Sequence, residues 1–176
     1  YNVGEIESFS PLIEKRVSAK SFPNDPLFGD QWHLNNSGQT GGQTGEDANV
    51  TGVWNSYNGS GVVISVIDDG VDHDHPDLNP NYLSSYSYDW CGDDSDPEPT
   101  SSQPHGTAVA GVAAGVGNND LDIAGAAFGA GIAGHKLIAC GFSGSTEASA
   151  LSYSNDNIDI YSNSWGPSDT GDVLSG

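Results

Sequence analysis

The sequence is poor in basic residues, and this shortage excludes one large class of function. Only 4 Lys and Arg stand against 24 Asp and Glu in 176 residues, for a formal net charge of -20. Proteins that bind phosphate backbones cluster Lys and Arg, so nucleic acid is excluded as a partner. Long apolar runs are also missing: no stretch approaches the roughly 18 apolar residues of a membrane-spanning helix.

Cysteine is scarce as well. The two cysteines, Cys91 and Cys140, are too few for a disulfide framework or for a zinc site made of cysteine ligands. They suffice for a single bridge in an oxidising compartment, and the sequence leaves open whether they pair.

The few basic residues are unevenly distributed. Lys15, Arg16 and Lys20 fall in the first twenty positions, and the rest of the chain holds Lys136 alone. The whole net negative charge therefore lies after residue 20. We expect a boundary there, with residues 1–20 as an N-terminal extension and residues 21–176 as an acidic body.

Within the body, apolar segments of two kinds alternate. A β-branched run at residues 61–67, apolar on both faces, predicts a buried parallel strand. Two later strands are expected at residues 132–139 and 158–163, and two helices are expected at residues 108–114 and 146–155. Residues 79–104, rich in acids and prolines, predict a loop region. Alternating strands and helices indicate an α/β fold, in which helices flank a parallel β-sheet.

Two residues combine the chemistry of an acid and a base. Asp68 directly follows the first strand, at the sheet edge where functional groups of α/β proteins collect. His105 opens the first helix with Gly106 and Thr107. A carboxylate that orients an imidazole, which then acts as general base, is the arrangement of a hydrolytic triad.

The residues around this pair resemble the subtilisin-like serine proteases, and one segment resembles their kexin and furin branch. The blocks that carry the resemblance, in the family's order, are residues 66–71, 75–78, 105–111 and 160–167. The resemblance implies a subtilisin-like α/β fold, a secreted location and hydrolysis of protein or peptide substrates. In this family the triad follows the chain order Asp, His, Ser, which implies Asp68 as the orienting acid and His105 as the general base.

The family's nucleophile and oxyanion Asn lie in later blocks that do not occur in these 176 residues. Ser164 is not the nucleophile in the family pattern, because Ser164, Trp165 and Gly166 match the strand that pairs with substrate backbone. We therefore interpret the chain as the N-terminal part of a catalytic domain, inactive alone. Its sheet is expected to be incomplete, with an open edge that a partner carrying the remaining C-terminal part completes.

The resemblance also implies calcium, a hard cation that prefers oxygen ligands. One site would use three side chains, Asp25, Asp77 and Asn119, with three backbone carbonyls. Those carbonyls belong to Val116, Leu121 and Ile123. A second site is expected from Asp89, Asp96 and Glu98.

Further acids imply a preference for basic substrates. Asp169 matches the acid of the primary pocket, where a carboxylate pairs with a substrate Arg or Lys, and it can share a third calcium with later residues. Asp69 matches an acid facing the next substrate position, and Glu147 one facing a more distant basic residue. Ser102 and Ser175 stand where the branch carries two more acids.

The N-terminal extension contains a basic sequence that an enzyme of this specificity would cut. Lys15-Arg16 is a dibasic pair, and residues 1–16 resemble the tail of a family propeptide. We expect this pair to be the processing site. The body offers such an enzyme Lys136 alone, on a strand expected to be buried.

Two other functions remain open at this point. Residues 73–77 match the H-x-H-x-D pattern of binuclear zinc hydrolases, which need additional His ligands. The other alternative is a calcium-binding module or degenerate protease that binds basic peptides without cutting them. Zinc required for activity would favour the first, and a reading frame without a later Gly-Thr-Ser block would favour the second.

Overall fold

The computed structural model of the protein describes residues 22–100 and 102–166. Its strands and its two α-helices are β1 Val63–Asp68, β2 Tyr88–Asp89, α1 His105–Ala114, β3 Gly131–Lys136, α2 Gly144–Ala150 and β4 Ile160–Asn163. The four strands form one sheet in the order β2-β3-β1-β4, and every neighbouring pair is parallel. The predicted α/β class with a parallel sheet is confirmed.

Strand β1 lies inside the sheet, between β3 and β4. Its residues from Ile64 to Asp68 are all buried, which is why the sequence there is apolar on both faces. The register pairs Ile67 with His135 on one side and with Asn163 on the other. Asp68 consequently emerges at the carboxyl edge beside the ends of both neighbouring strands.

Helix α1 packs on the sheet through small residues. Its buried positions are Gly106, Ala110, Gly111 and Ala114, and the two alanines join the core around Val66 and Ile132. Small side chains allow the helix axis to approach the strands closely. This proximity brings the first turn of α1 against the end of β1.

The ends of several elements differ from the sequence expectations. Strand β1, expected at residues 61–67, spans Val63–Asp68. The strand predicted at residues 132–139 stops at Lys136, because the next two amides, of Leu137 and Ile138, both donate to the carbonyl of Asp68. The helix predicted at 146–155 begins at Gly144, capped by the Ser143 hydroxyl, and ends at Ala150. The last strand begins at residue 160 rather than 158.

Strand β2 lies in the region that the sequence predicted to be loop. Its two residues pair with His135 and Lys136 of β3. Cys91, just after β2, forms a disulfide with Cys140, which follows β3, and this settles the pairing that the sequence left open. Among the described residues, no helix is long and apolar enough to cross a membrane.

Candidate active site

Asp68 and His105 meet at the carboxyl edge of the sheet. The Asp68 carboxylate is fully buried, and its Oδ1 lies 2.8 Å from Nδ1 of His105. The same oxygen accepts the amide hydrogen of Asp69 at 2.8 Å. The imidazole stays about half exposed, at 55 %. The pair thus combines a shielded acid with a base that substrate can reach.

The carboxylate controls both the charge and the orientation of the ring. The hydrogen bond and the negative charge of Asp68 raise the pKa of His105 above its usual value, against a small opposing effect of burial, and the Asp69 charge adds to the rise. A ring nitrogen that faces a carboxylate carries the proton, so Nδ1 donates and Nε2 is the basic nitrogen. The geometry suits proton transfer at Nε2.

Close packing holds the histidine in place. A Cβ on Gly106 would collide with the backbone carbonyl oxygen of Gly70 and would lie 2.8 Å from Cβ of Asp68, so only glycine fits. The Thr107 hydroxyl accepts the amide hydrogen of Asp72 at 2.9 Å. Consecutive residues of α1 are therefore tied to the chain that leaves β1.

The sequence predicted that Asp69 faces the substrate, whereas in the structure its side chain is buried against the start of α1. The residue is only 8 % exposed. Its Oδ1 accepts the amide hydrogen of Gly106 at 2.7 Å, and its Oδ2 accepts that of His105 at 3.2 Å. Both oxygens point at the start of α1.

The other expected substrate residues line two clefts on either side of the chain after β4. Ser164 lines a cleft of about 480 Å³ together with His105 and Ser162. Trp165 and Gly166 line a second cleft of about 450 Å³, and Glu147 from α2 lies in its wall. The Trp165 indole donates to the Ile67 carbonyl at 2.7 Å, which fixes this segment beside Asp68.

The first expected calcium site is assembled from distant parts of the chain. Asp25 and Asp77 are 4 % and 2 % exposed. Asp25 accepts the amide hydrogens of Asn118 and Asn119 at 2.9 and 3.2 Å, and the Asn119 side chain donates to Asp77 at 2.7 Å. The three predicted side chains are thus neighbours.

This donor set fits calcium. Burial raises the pKa of Asp77, the charges of Asp122 and Asp25 act in the same direction, and hydrogen bonds from Asn119 and Ile123 oppose them. Lys136 is the single Lys or Arg among the described residues, and it pairs with Asp89 at 2.9 Å. Two buried carboxylates without a basic partner are stabilised by a hard divalent cation.

The expected second calcium site needs a correction. Asp89 is occupied elsewhere, because its Oδ1 accepts from the amides of Cys91 and Gly92 and its Oδ2 holds Lys136. Asp96 and Glu98 instead approach His73, whose Nε2 lies 3.0 and 3.5 Å from their carboxylate oxygens. In the described chain, these three form the one group of three or more His, Cys, Asp or Glu side chains whose ligand atoms all lie within 4.8 Å of one another.

His73 was missed as part of this site because the sequence pattern placed it in the rival zinc motif. In the structure, the two histidines of that motif do not lie around one site. His75 accepts the amide hydrogen of Asp77 and faces Asp122 at 3.9 Å, away from the ligand group of His73. Within the described residues, the H-x-H-x-D segment therefore does not gather its side chains around a binuclear metal centre.

Several predicted features lie outside the described residues: Asp169 of the primary pocket, Ser175, and the extension with Lys15-Arg16.

Comparison with known proteins gives consistent matches. The model of the subtilase family matches residues 59–175. A PC3-like endoprotease of Hydra vulgaris is 45 % identical over 90 % of this chain and 23 % of its own length. Furin-like protease 2 of Drosophila melanogaster is 42 % identical over 97 % of this chain and 10 % of its own length. The chain thus spans a quarter or less of these curated relatives.

Comparison with solved structures also finds serine proteases. The crystal structure of a serine protease of Aeromonas sobria superposes with a TM-score of 0.76 at 32 % identity. The match covers 83 % of this chain and 26 % of that one.

Proposed function

The chain belongs to the subtilase family, and from this premise we propose that it supplies the Asp and His of a serine endopeptidase that cuts after basic residues. The observation that carries the proposal is the 2.8 Å contact between His105 Nδ1 and the buried Asp68 carboxylate. The nucleophilic serine and the oxyanion Asn come from the remaining C-terminal part of the catalytic domain.

In the proposed mechanism, His105 Nε2 takes the proton of that serine as its oxygen attacks the scissile carbonyl. The imidazolium formed is stabilised by Asp68, which stays ionised. His105 then gives the proton to the leaving amine. The raised pKa of His105 makes the ring a stronger base for the first transfer.

Substrate backbone would pair with the Ser164–Gly166 segment beside the base. Two acids would select for basic side chains: Asp169 at the cleavage position and Glu147, on the wall of the second cleft, at a more distant position. A carboxylate in such a pocket favours Arg or Lys because it forms a charge-assisted hydrogen bond with a cationic side chain.

We also propose calcium at the Asp25, Asp77 and Asn119 side chains, with the carbonyls of Val116, Leu121 and Ile123. The bound ion would neutralise the two buried carboxylates and hold the loop before β3 to the N-terminal segment. Asp96 and Glu98 would hold a second ion, with His73 in the position expected for Asp89. A third ion is proposed at Asp169 and later residues.

The remaining proposals concern the chain's context. We propose that residues 1–20 end a propeptide, that Lys15-Arg16 is its processing site, and that the enzyme is secreted. N-terminal sequencing of active enzyme checks the processing site, and an active form that begins at Tyr1 would contradict it.

Activity of the whole catalytic domain tests the main proposal. A fluorogenic peptide with Lys-Arg before the cleaved bond should be hydrolysed, and a peptide with Ala in place of Arg should not. His105→Ala should abolish hydrolysis, whereas His33→Gln, in the segment before β1, should leave it intact. A parent protein that binds the Lys-Arg peptide without cutting it would establish the non-catalytic alternative.

A further inference from the structure

The disulfide between Cys91 and Cys140 joins a rigid turn to an exposed loop. Cys91 lies in the turn after β2, which is closed by two backbone hydrogen bonds between Asp89 and Asp94, at 2.9 and 3.2 Å. The Asp89 carboxylate accepts the amide hydrogen of Cys91 at 2.7 Å and pairs with Lys136 at 2.9 Å. The Cys91 end of the bond is therefore held firmly against β3.

The Cys140 end lies in the loop that connects β3 to α2. Residues 139–143 belong to no helix or strand, and residues 140–143 are all exposed. The chain just before the loop is held by the sheet, because the amides of Leu137 and Ile138 donate to the carbonyl of Asp68. The disulfide is the covalent tie that fixes the middle of the loop.

This loop forms one wall of the second cleft, which contains Glu147. Ile138 and Phe142, two residues to either side of Cys140, line the cleft of about 450 Å³. The Phe142 ring packs edge-on against the Trp165 indole, with ring centroids 5.5 Å apart, and Phe142 is still 38 % exposed. Trp165 is anchored separately, because its indole donates to a carbonyl of β1. The place of Phe142 in the wall therefore depends on the loop.

An aromatic wall strengthens the pairing of the Glu147 carboxylate with a basic side chain. Apolar rings keep water away from the carboxylate, and an ion pair is stronger where water is excluded. The rings also attract a cation through their faces and cover the apolar stem of Lys or Arg. If Phe142 moved away, the pair would be exposed to water and would contribute little.

From this arrangement we propose that the Cys91–Cys140 disulfide determines specificity: it positions Phe142 so that the second cleft recognises a basic side chain distant from the cleaved bond. The two cysteines are positioning residues, because they act through Phe142. The proposal rests on the proposed function, which places a basic substrate residue at Glu147. The acid–base pair should not depend on the bond, because β1 and α1 hold both of its residues.

The whole catalytic domain is assayed on four peptides that share Lys-Arg before the cleaved bond. Three of them carry a single Arg at one of the next three positions, and the fourth carries Ala at all three. The parent should cut the best Arg peptide with a KM about 10-fold below that of the Ala peptide. In the double variant Cys91→Ser/Cys140→Ser this advantage should fall to about twofold, while kcat stays near the parent value.

Two single variants serve as comparisons. Phe142→Ala should remove the same KM advantage, and adding it to the double variant should cause little further loss, because both changes act on one wall. Tyr57→Ala removes an exposed aromatic side chain from the segment before β1 and should match the parent on every peptide. A double variant that keeps the parent's preference, or that loses activity equally on all four peptides, would overturn the proposal.

If the double variant does not fold, the folded parent is reduced instead. A water-soluble phosphine converts the disulfide to two thiols and takes up oxygen from water as it is oxidised. Mass spectrometry verifies the thiols of Cys91 and Cys140, and the four peptides are compared again. A lost KM advantage supports the proposal, and an unchanged one overturns it.

A structural readout separates this proposal from the proposed function. NMR should detect contacts between ring protons of Phe142 and Trp165 in the parent, and they should disappear when the disulfide is absent. A parent that cuts none of the peptides would refute the proposed function, and the ring contacts would still decide the role of the disulfide: their loss supports it, and their persistence overturns it. A parent that cuts all four peptides equally well would overturn the proposal itself.

Discussion

The environment of the Asp68 carboxylate suits it to orient the His105 ring. It is completely buried, and its Oδ1 accepts both from the His105 ring and from the amide of Asp69. Its Oδ2 is buried without a hydrogen-bond partner among the described residues. Burial of the carboxylate keeps water away from its contact with the histidine, and this strengthens the interaction between them.

Replacing Asp68 by Asn should remove most of the proposed activity. An amide can no longer fix the ring tautomer with Nε2 as the base, so kcat/KM should fall about 10⁴-fold. Peptide hydrolysis by the whole domain measures this. Asp30→Asn, at the exposed end of a short 3₁₀ helix, is the control, and near-parent activity of D68N would contradict the assignment of Asp68.

His135 on β3 is expected to govern behaviour in acid. Burial lowers its pKa to about 4, against a smaller opposite effect of the Tyr86 carbonyl, which lies 2.9 Å from Nε2. Its Nδ1 accepts from the Trp90 indole at 3.2 Å. The neutral ring therefore contributes stability above pH 6.5 that is lost as the pH falls towards 4, because the unfolded chain takes up a proton first.

The predicted loss over that range is about 3 kcal/mol for this one residue. His135→Gln cannot titrate, so its free energy of unfolding should fall less between pH 6.5 and pH 4. Urea unfolding of both proteins at several pH values measures the difference. Parallel curves would show that His135 does not couple folding to pH.

The acid–base pair could be predicted from the sequence, whereas the roles of two other residues could not. Asp68 and His105 follow from the strand end, the helix start and the surrounding motifs. The hydrogen bonds of Asp69 to the first two amides of α1 depend on how closely α1 approaches β1, a distance that the sequence does not reveal. The partner of Asp89 depends on the two-residue strand β2, too short to leave a periodic pattern.

Helix α1 and strand β1 act as a unit, since three consecutive helix residues bind the chain that leaves the strand. Their relative position depends on small side chains at the contact. The sequence predicted both elements, because a β-branched run and a run of small residues have distinct patterns. It did not predict the exact ends of β3 or α2, which are set by hydrogen bonds to Asp68 and by the Ser143 cap.

Gly106→Ala should separate these two elements. In an ordinary helix Ala is favoured over Gly by about 1 kcal/mol. Here the added Cβ meets the Gly70 carbonyl oxygen and Cβ of Asp68, so we expect a net destabilisation of about 1–3 kcal/mol and a lower kcat. Gly144→Ala, at the first position of α2 with open space around it, is the matched control and should be neutral or slightly stabilising. Equal stability of the two variants would contradict the close approach.

The molecule as a whole combines a large negative charge with a carboxyl edge that gathers acids. Distant acids also meet elsewhere without basic side chains to balance them, as Asp25 and Asp77 do beside the loop that follows α1. The sequence predicted this meeting through the family resemblance, not through spacing alone, because the two residues are 52 positions apart in the chain.

Removal of calcium should therefore destabilise the fold. If the ion binds the native state alone, its removal from a solution at about 100 times its Kd costs about 3 kcal/mol. Thermal unfolding is measured with EDTA and again after Ca²⁺ or Mg²⁺ is added back. Ca²⁺ should restore the unfolding midpoint better than Mg²⁺ does. Asp77→Asn should weaken the response, while Asp156→Asn, at an exposed turn after α2, should keep it. An unfolding midpoint indifferent to EDTA would refute the site.

The ion pair of Lys136 with Asp89 has one more consequence. Lys136 is the sole basic residue after position 20, its side chain is 15 % exposed, and it lies at the end of an interior strand. A peptidase that cuts after Lys or Arg therefore finds no accessible bond in neighbouring copies of residues 22–166 while they stay folded. Self-digestion of this region is limited by how often it opens, so its lifetime at high concentration should follow its folding equilibrium.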